Sequence, residues 1–560
     1  MTERDVLASA QEARWRRWAS FGIAVGVAAI AGCRTVKEER GSDGGATLAP
    51  ATTGLTLELT PRPERKDILV ELRVGGAAAA AVRELYVSQA WADTHGAEAI
   101  DAIDVRDERG EVVLDAPREG SRERVYTLDR APVGELQARF TARPTGSRLG
   151  LRVEADRVTG VGYGFLLLPR LEEPVPTRVR WNLDALGPGA HGVSSLGEGD
   201  AEVDATSEKL ARAVYMAGPV ISARAGEQRI HTLGASALVP REILSWAGRA
   251  RTVAEARLHR GEAEGGAEPL TIFLVGEPGL GRDHDGTYLG GSLGLWFDGT
   301  RSFDAGLRIA LTHELSHRYL GGEMMVLDEE GEPSAWFTEG FTVHYARRLL
   351  FDAGMITAGE FAEDLNRIEE EALGARGHER EAYRRGSRYA ALLDHRLRRS
   401  SKGVKSLDEL LAGLRSRGEP QVKVDDFKAA VGEALGDEGV TELERLVLRR
   451  EGEVDLPSSA FGPCLRRVRE QRKLFDVGFD VASLASGMDV IRGVVRGSAA
   501  SRAGLHDGLL VLQVRKLPKP EEGLSTEVDL TVTDHKGARR VRYRPWAIHA
   551  VYRWKARPCA

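Results

Sequence analysis

The sequence predicts a multidomain α+β protein, and three observations carry that prediction. Short runs of alternating apolar and polar residues recur from about 53 to 170. The stretch 303–455 reads almost entirely as helix, and after Pro457 the pattern returns to short strands and turns. A chain of 560 residues has room for several such domains. Its 42% hydrophobic and 29% charged residues are ordinary for globular protein, which sets aside collagen-like, wholly disordered and multi-pass membrane readings. The formal net charge is −6, from 78 basic and 84 acidic residues. So near a balance offers no overall basic field for phosphates, and no nucleic-acid partner is expected.

The N-terminus sets the expected compartment. Arg4, Arg14, Arg16 and Arg17 precede an apolar run from Trp18 to Gly32. That run is shorter than the roughly 20 residues a membrane-spanning helix needs, and it suits the core of a secretory signal peptide. It closes on Ile30-Ala31-Gly32-Cys33, which resembles the bacterial lipobox and implies that Cys33 receives lipid. Arg34 follows, not the aspartate that often signals inner-membrane retention. The expectation is an exported bacterial lipoprotein facing the periplasm or cell surface, at the outer membrane and held through its lipid anchor. Residues 1–33 form the signal peptide and lipobox, and 34–52 form a flexible tether without apolar periodicity.

Residues 53–170 are expected to form an antiparallel β domain. Leu55-Thr56-Leu57-Glu58-Leu59 and Ile68-Leu69-Val70-Glu71-Leu72-Arg73-Val74 show the two-residue period, with Gly and Pro between the runs. Nothing in this region has catalytic spacing. Between about 205 and 260 helical patterns are expected to take over. A strand, Leu270-Thr271-Ile272-Phe273-Leu274-Val275, then precedes a glycine-rich loop that lacks the Gly-Lys-Ser/Thr ending of a phosphate cradle. Residues 171–456 are read as one catalytic domain.

The sharpest feature of that domain is His313-Glu314-Leu315-Ser316-His317. Histidines four apart share one face of a helix and can clamp one ion, and Glu314 can reach water on the same side. Downstream, the segment 333–350 opens with a proline and carries Glu339, and Gly321 and Gly322 permit a turn between the two stretches. Two histidines and one glutamate leave a fourth position of a single Zn2+ open to water, as in a catalytic site. His344 lies off the face of Glu339 and is expected to pack or to lie at the surface.

These residues carry a resemblance. His-Glu-Leu-Ser-His followed by Trp336-Phe337-Thr338-Glu339-Gly340-Phe341-Thr342 resembles the gluzincin metallopeptidases, and within them the glycyl aminopeptidase family. Tyr383-Arg384-Arg385-Gly386, Leu392-Leu393-Asp394 and Lys405-Ser406-Leu407-Asp408-Glu409-Leu410 are similar to later motifs of that family. The resemblance implies a thermolysin-like, largely helical catalytic domain. It implies His313, His317 and Glu339 as zinc ligands, Glu314 as general base, and Tyr383 as hydrogen-bond donor to the oxyanion. In one place the sequence departs from the family. The family's Gly-Gly-x-Glu-His-like segment, whose glutamate grips the substrate amine, corresponds to Gly290-Gly291-Ser292-Leu293-Gly294. The glycines remain, Gly290 and Gly291 being expected to let an edge strand bind substrate, but the glutamate does not. Asp283, Asp285 and Asp298 are the candidate replacements.

Residues 457–560 contain Gly497-Ser498-Ala499-Ala500-Ser501-Arg502-Ala503-Gly504-Leu505-His506-Asp507-Gly508, which resembles the core of bacterial PDZ domains. That likeness implies a PDZ-like β domain in which Val477, Gly478 and Phe479 form a carboxylate-binding loop for a C-terminal peptide ligand. Cys464 and Cys559 bracket this region, where a disulfide and two free thiols are both open. The functional expectation is a zinc-dependent peptidase acting on peptides or proteins, aminopeptidase-like in specificity. A zinc endopeptidase and a non-catalytic peptide-binding PDZ lipoprotein are the alternatives.

Overall fold

The computed structural model describes residues 54–258, 269–372, 381–417, 420–485, 490–518, 523–534 and 537–559. The expected signal peptide, the lipid site at Cys33 and the tether lie outside the described residues. The chain divides into two compact units, one ending at Pro333 and one beginning at Ser334.

The first unit begins with three sheets that share one core running from Leu55 to Ala217. The largest has seven strands, in the order Ala201–Ala205, Val175–Trp181, Gly54–Arg62, Asp67–Gly75, Leu136–Ala142, Ile100–Asp107, Gly110–Glu111. Leu55, Leu57 and Leu59 point inward on the first strand, and Ile68, Val70, Leu72 and Val74 on the second, as their alternation predicts. The β region therefore runs past residue 170. Val175–Trp181 pairs in parallel with Gly54–Arg62, and three of its seven positions are exposed, so its short sequence is hard to tell from a linker.

A five-stranded mixed sheet follows, in the order Ile221–Ala225, Gln228–Leu233, Leu270–Glu277, Ser292–Asp298, His284–Tyr288. The helical expectation for 205–260 holds mainly for Pro240–Leu258; Val214–Gly218, Ile221–Ala225 and Gln228–Leu233 are strands. Val214–Gly218 is buried at every position, so it shows no two-residue period that would separate it from a buried helix. The central strands Leu270–Glu277 and Ser292–Asp298 are likewise buried throughout. Phe273, Val275 and Trp296 pack with Val161, Val193, Val214 and Met216, which joins the mixed sheet to the β region before it.

The second unit is helical in its first part. The helices Gly340–Asp352 and Glu381–Ser400 cross with their backbones in contact. A Cβ on Gly340 would lie 2.4 Å from the Gly386 Cα, and one on Gly386 would lie 2.0 Å from the Trp336 carbonyl oxygen. Trp336, Phe337, Phe341 and Phe427 cluster edge-on beside this crossing. Asp394 accepts the Leu407 N–H at 2.9 Å, and the Tyr345 hydroxyl donates to Asp408 at 2.7 Å. These bonds fasten the helix Leu407–Arg415 to the crossing pair. Of the two places open to His344, the structure puts it in the interior.

The strands Leu465–Phe475 and Trp546–Ala556 then form an antiparallel ribbon paired over eleven residues each. At its open end Cys464 and Cys559 are joined by a disulfide, and the Arg557 N–H donates to the Cys464 carbonyl at 2.9 Å. The far end carries a small module with its own core, including Phe475, Val477, Ile491, Leu505, Leu530 and Val541. The ribbon is seated on the helix Ala358–Ala372. Buried Asn366 donates its amide to the Trp554 carbonyl at 2.9 Å and accepts the Trp554 N–H at 2.8 Å. Phe361, Phe461 and Trp554 stack edge to face alongside.

Asn366→Leu leaves the buried N–H and C=O of Trp554 without these partners. The expected loss of stability is about 2–4 kcal/mol, read as a lower urea midpoint for the second unit.

Candidate metal centre

The helix Ala305–Ser316 is shaped by its ends. Asp304 caps it, its carboxylate accepting the Leu307 N–H at 2.9 Å, while Arg301 holds that carboxylate in place. Leu307, Leu311 and Leu315 are buried, as are Thr312 and Ser316. The hydroxyls of Thr312 and Ser316 donate back to Arg308 and Thr312 carbonyls and leave no polar group of theirs unsatisfied. The helix closes at His317, whose N–H reaches the His313 carbonyl at 3.2 Å. The chain then turns through Gly321, at φ +107°, and Gly322, where a Cβ would lie 2.2 Å from the Arg318 carbonyl oxygen.

His313, Glu314 and His317 come together on this helix with their ligand atoms within 4.8 Å of one another. The Nε2 atoms of the two histidines face each other at 3.0 Å. A hydrogen on the His313 Nε2, or a cation held by both, satisfies the two nitrogens at this distance. On the other side of the ring, His317 Nδ1 lies 3.2 Å from the Leu320 carbonyl oxygen. A carbonyl can only accept, so Nδ1 carries the hydrogen and Nε2 is left as the ligand atom. Two imidazole nitrogens on one tetrahedral zinc stand about 3.3 Å apart, close to the observed separation. The donor set fits a zinc ion.

Glu314 is seated against the edge strand His284–Tyr288. A Cβ on Gly286, in the middle of that strand, would lie 2.3 Å from Glu314 Oε1 and 2.7 Å from its carboxyl carbon. Only glycine leaves room for the carboxylate here. Nothing in the sequence singles out this glycine from its neighbours, because the contact joins residues 28 positions apart.

Gly290 and Gly291, at φ +61° and +88°, form the turn after the edge strand and are not part of it. The strand they lead into, Ser292–Asp298, is flanked on both sides, by Leu270–Glu277 and by His284–Tyr288. Its backbone groups are used on both sides, whereas His284–Tyr288 is the sheet edge next to the zinc-candidate helix. Of the candidate replacement carboxylates, Asp285 is paired with Arg148. Asp298 accepts from the Thr300 hydroxyl and from the N–H groups of Gly281 and Thr300. The Thr300 hydroxyl first, then those backbone donors, hold its carboxyl down to about 2. Glu277, buried and unmentioned by any motif, pairs with Arg152 at 2.9 Å, and burial pushes its carboxyl upward.

Glu339 and Tyr383 belong to the second unit. Glu339 stands between the short helix Ala335–Thr338 and the helix Gly340–Asp352, half-buried, with its N–H on the Ala335 carbonyl at 3.0 Å. Tyr383 lies half-buried in the first turn of Glu381–Ser400, three residues before Gly386. Glu339 immediately precedes Gly340, so each residue sits beside one glycine of the helix crossing. In the C-terminal module, the Gly478 N–H is already donated to the Asp476 carboxylate at 2.8 Å, and the Val477 carbonyl accepts from the Tyr543 hydroxyl at 2.6 Å. Folded this way, Gly478 does not offer its N–H to an incoming carboxylate. At φ +81° it packs on Ser498, where a Cβ would lie 2.6 Å from the hydroxyl oxygen.

No family model matches the chain, and no curated protein matches it. Among solved structures, it is similar to an aminopeptidase N family protein from Idiomarina loihiensis, with a TM-score of 0.63 and 11% identity. That match covers 90% of this chain and 98% of the other. The chain therefore shares the fold of that protein. Weaker similarity extends to an M1 zinc metallopeptidase from Deinococcus radiodurans (TM-score 0.44, 18% identity, 72% of this chain and 94% of that one). It extends also to native yeast LTA4 hydrolase (TM-score 0.44, 12% identity, 73% of this chain and 68% of that one).

After dialysis against zinc, the protein is expected to retain one equivalent of metal by elemental analysis. His317→Ala is expected to lose it, and Gly286→Ala to keep it.

Proposed function

We propose that the protein is a zinc-dependent peptidase. The observation that supports this most is the convergence of His313, Glu314 and His317 on one helix, with Glu314 fitted against the glycine of an edge strand. The fold shared with an aminopeptidase N family protein points the same way. His313, His317 and Glu339 would hold the metal, the last by family resemblance. Zinc in such a site polarises the scissile carbonyl and makes water acidic enough to attack near neutral pH.

The chain's own residues do the proton work. Glu314 takes the proton of the attacking water and returns it to the leaving amine nitrogen. The Tyr383 hydroxyl, by the same resemblance, donates a hydrogen bond to the oxygen that gains charge, a contribution of about 3 kcal/mol in comparable sites. The edge strand His284–Tyr288 offers backbone groups to which an extended substrate can add.

Aminopeptidase-like cleavage is the reading that the family resemblance favours. A second reading, endopeptidase, is favoured by the pairing of Asp285 with Arg148 and the capping role of Asp298, which leave neither carboxylate ready for a substrate amine. Export as a lipoprotein through Cys33 belongs to the same proposal and rests on the sequence of residues 1–33.

Matched peptides with free and acetylated N-termini test the proposal. Cleavage of the free peptides alone establishes an aminopeptidase, and cleavage of both an endopeptidase. No cleavage of either by the zinc-loaded protein would refute the peptidase reading and favour a binding protein. Glu314→Gln is expected to lower kcat by about 10²–10⁴-fold with zinc still bound. Gly286→Ala is expected to lower kcat at least about tenfold with little change in metal content, because it displaces the base and not the ligands.

A further inference from the structure

The near balance of charge over the whole chain conceals a strong asymmetry. Residues 457–560 hold 19 Lys and Arg against 10 Asp and Glu, a net of +9, so the remainder of the chain stands at −15. The largest share of the excess lies on the ribbon, where Leu465–Phe475 and Trp546–Ala556 together carry seven basic residues and one acidic. Arg466 lies directly opposite Lys555, an arrangement that costs stability in a bare sheet. Glu470 pairs with Lys555, but neither Arg469 nor Lys473 has an ion-pair partner among the described residues.

Among the described residues, the same region holds most of the exposed large apolar side chains. Among the described residues eleven large hydrophobic side chains are exposed, and seven of them follow residue 457. On the ribbon the two properties share a face. Register places Arg469 opposite Tyr552 and Lys473 opposite Ile548, so all four project from one side. Ile548 is 73% exposed and Tyr552 51%. The other end of this face is anchored through Trp554 on Asn366 and Phe461, so the ribbon presents the patch from a rigid base.

We propose that this ribbon face is a peripheral contact for an anionic lipid surface. Arg469 and Lys473 meet the phosphates, Ile548 enters the acyl boundary, and Tyr552 lies at the headgroup level. The apolar members decide between lipid and nucleic acid. Ile548 has no ring to stack on a base, and the Arg467 guanidinium already covers one face of the Tyr552 ring at 3.8 Å. The contact is adsorption and not insertion of a helix, since among the described residues no helix is long and apolar enough to cross a membrane. It is independent of any lipid on Cys33 and of the catalytic reading.

The test uses the chain from residue 34, which contains every described residue and lacks Cys33. Co-sedimentation is measured with phosphatidylcholine vesicles, with and without phosphatidylglycerol, and binding to duplex DNA is measured at the same salt. Binding is expected only to the vesicles that contain phosphatidylglycerol, and to weaken at high salt. Arg469→Gln with Lys473→Gln is expected to weaken it about 25-fold, roughly fivefold per charge. Ile548→Ser with Tyr552→Ser is expected to weaken vesicle binding severalfold. All four side chains are at the surface, so unchanged thermal melting shows that these variants are folded. Failure to bind, equal binding to uncharged vesicles, indifference to these four residues, or DNA binding as tight as vesicle binding would each overturn the proposal.

Discussion

The Glu314 carboxylate lies directly on the backbone of a β-strand, and this is possible only because residue 286 has no side chain. Much of the first unit is arranged around that contact. The strand His284–Tyr288 lies at the edge of its sheet, paired with Ser292–Asp298, and presents Gly286 to the helix. Its neighbour Ser292–Asp298 is held in register by the buried strand Leu270–Glu277, whose apolar side chains pack into the preceding β region. The helix itself is oriented by Asp304 at its start and by burial of Leu311 and Leu315 along one face. With the helix so placed, His317 reaches the Leu320 carbonyl behind it, and its Nε2 turns toward His313.

A second close approach organises the unit that begins at Ser334. Gly340 and Gly386 let two long helices touch backbone to backbone, and the aromatic rings of Trp336, Phe337, Phe341 and Phe427 fill the space beside them. Glu339 and Tyr383 stand next to these glycines, so the same crossing that builds the core also sets where both side chains begin. Asp394 and Asp408 act in this unit as structural clamps, through the Leu407 N–H and the Tyr345 hydroxyl. Packing thereby accounts for the two aspartates of these motif segments. The ribbon extends this scaffold, fixed at one end by Asn366 and the disulfide, and holding the small C-terminal module at the other.

Some of this was legible in the residues and some was not, and the division follows the range of the interactions. The spacing of His313 and His317 places both on one helix face, since that depends only on the α-helical period. The alternation of Leu55, Leu57 and Leu59 likewise marks a strand with one buried side. Val214–Gly218 defeated the same reasoning because burial on both faces removes the alternation. Gly290 and Gly291 read in sequence as glycines that free an edge strand, and only the structure shows that positive φ at both makes them the turn leading out of it. Asp285 and Asp298 looked available in sequence, and their engagement with Arg148, Thr300 and Gly281 became visible only in three dimensions.

The sequence by itself determined the local chemistry: which helix carries two imidazoles and a carboxylate, and which segments alternate as strands. Those properties arise from neighbours a few residues apart, whose geometry the backbone period dictates. The tertiary structure alone decided that Gly286 makes room for Glu314, that Gly340 meets Gly386, and that Arg469, Lys473, Ile548 and Tyr552 share a face. Each of those depends on strand register or on a helix crossing, which join residues dozens of positions apart through the packing of the whole unit.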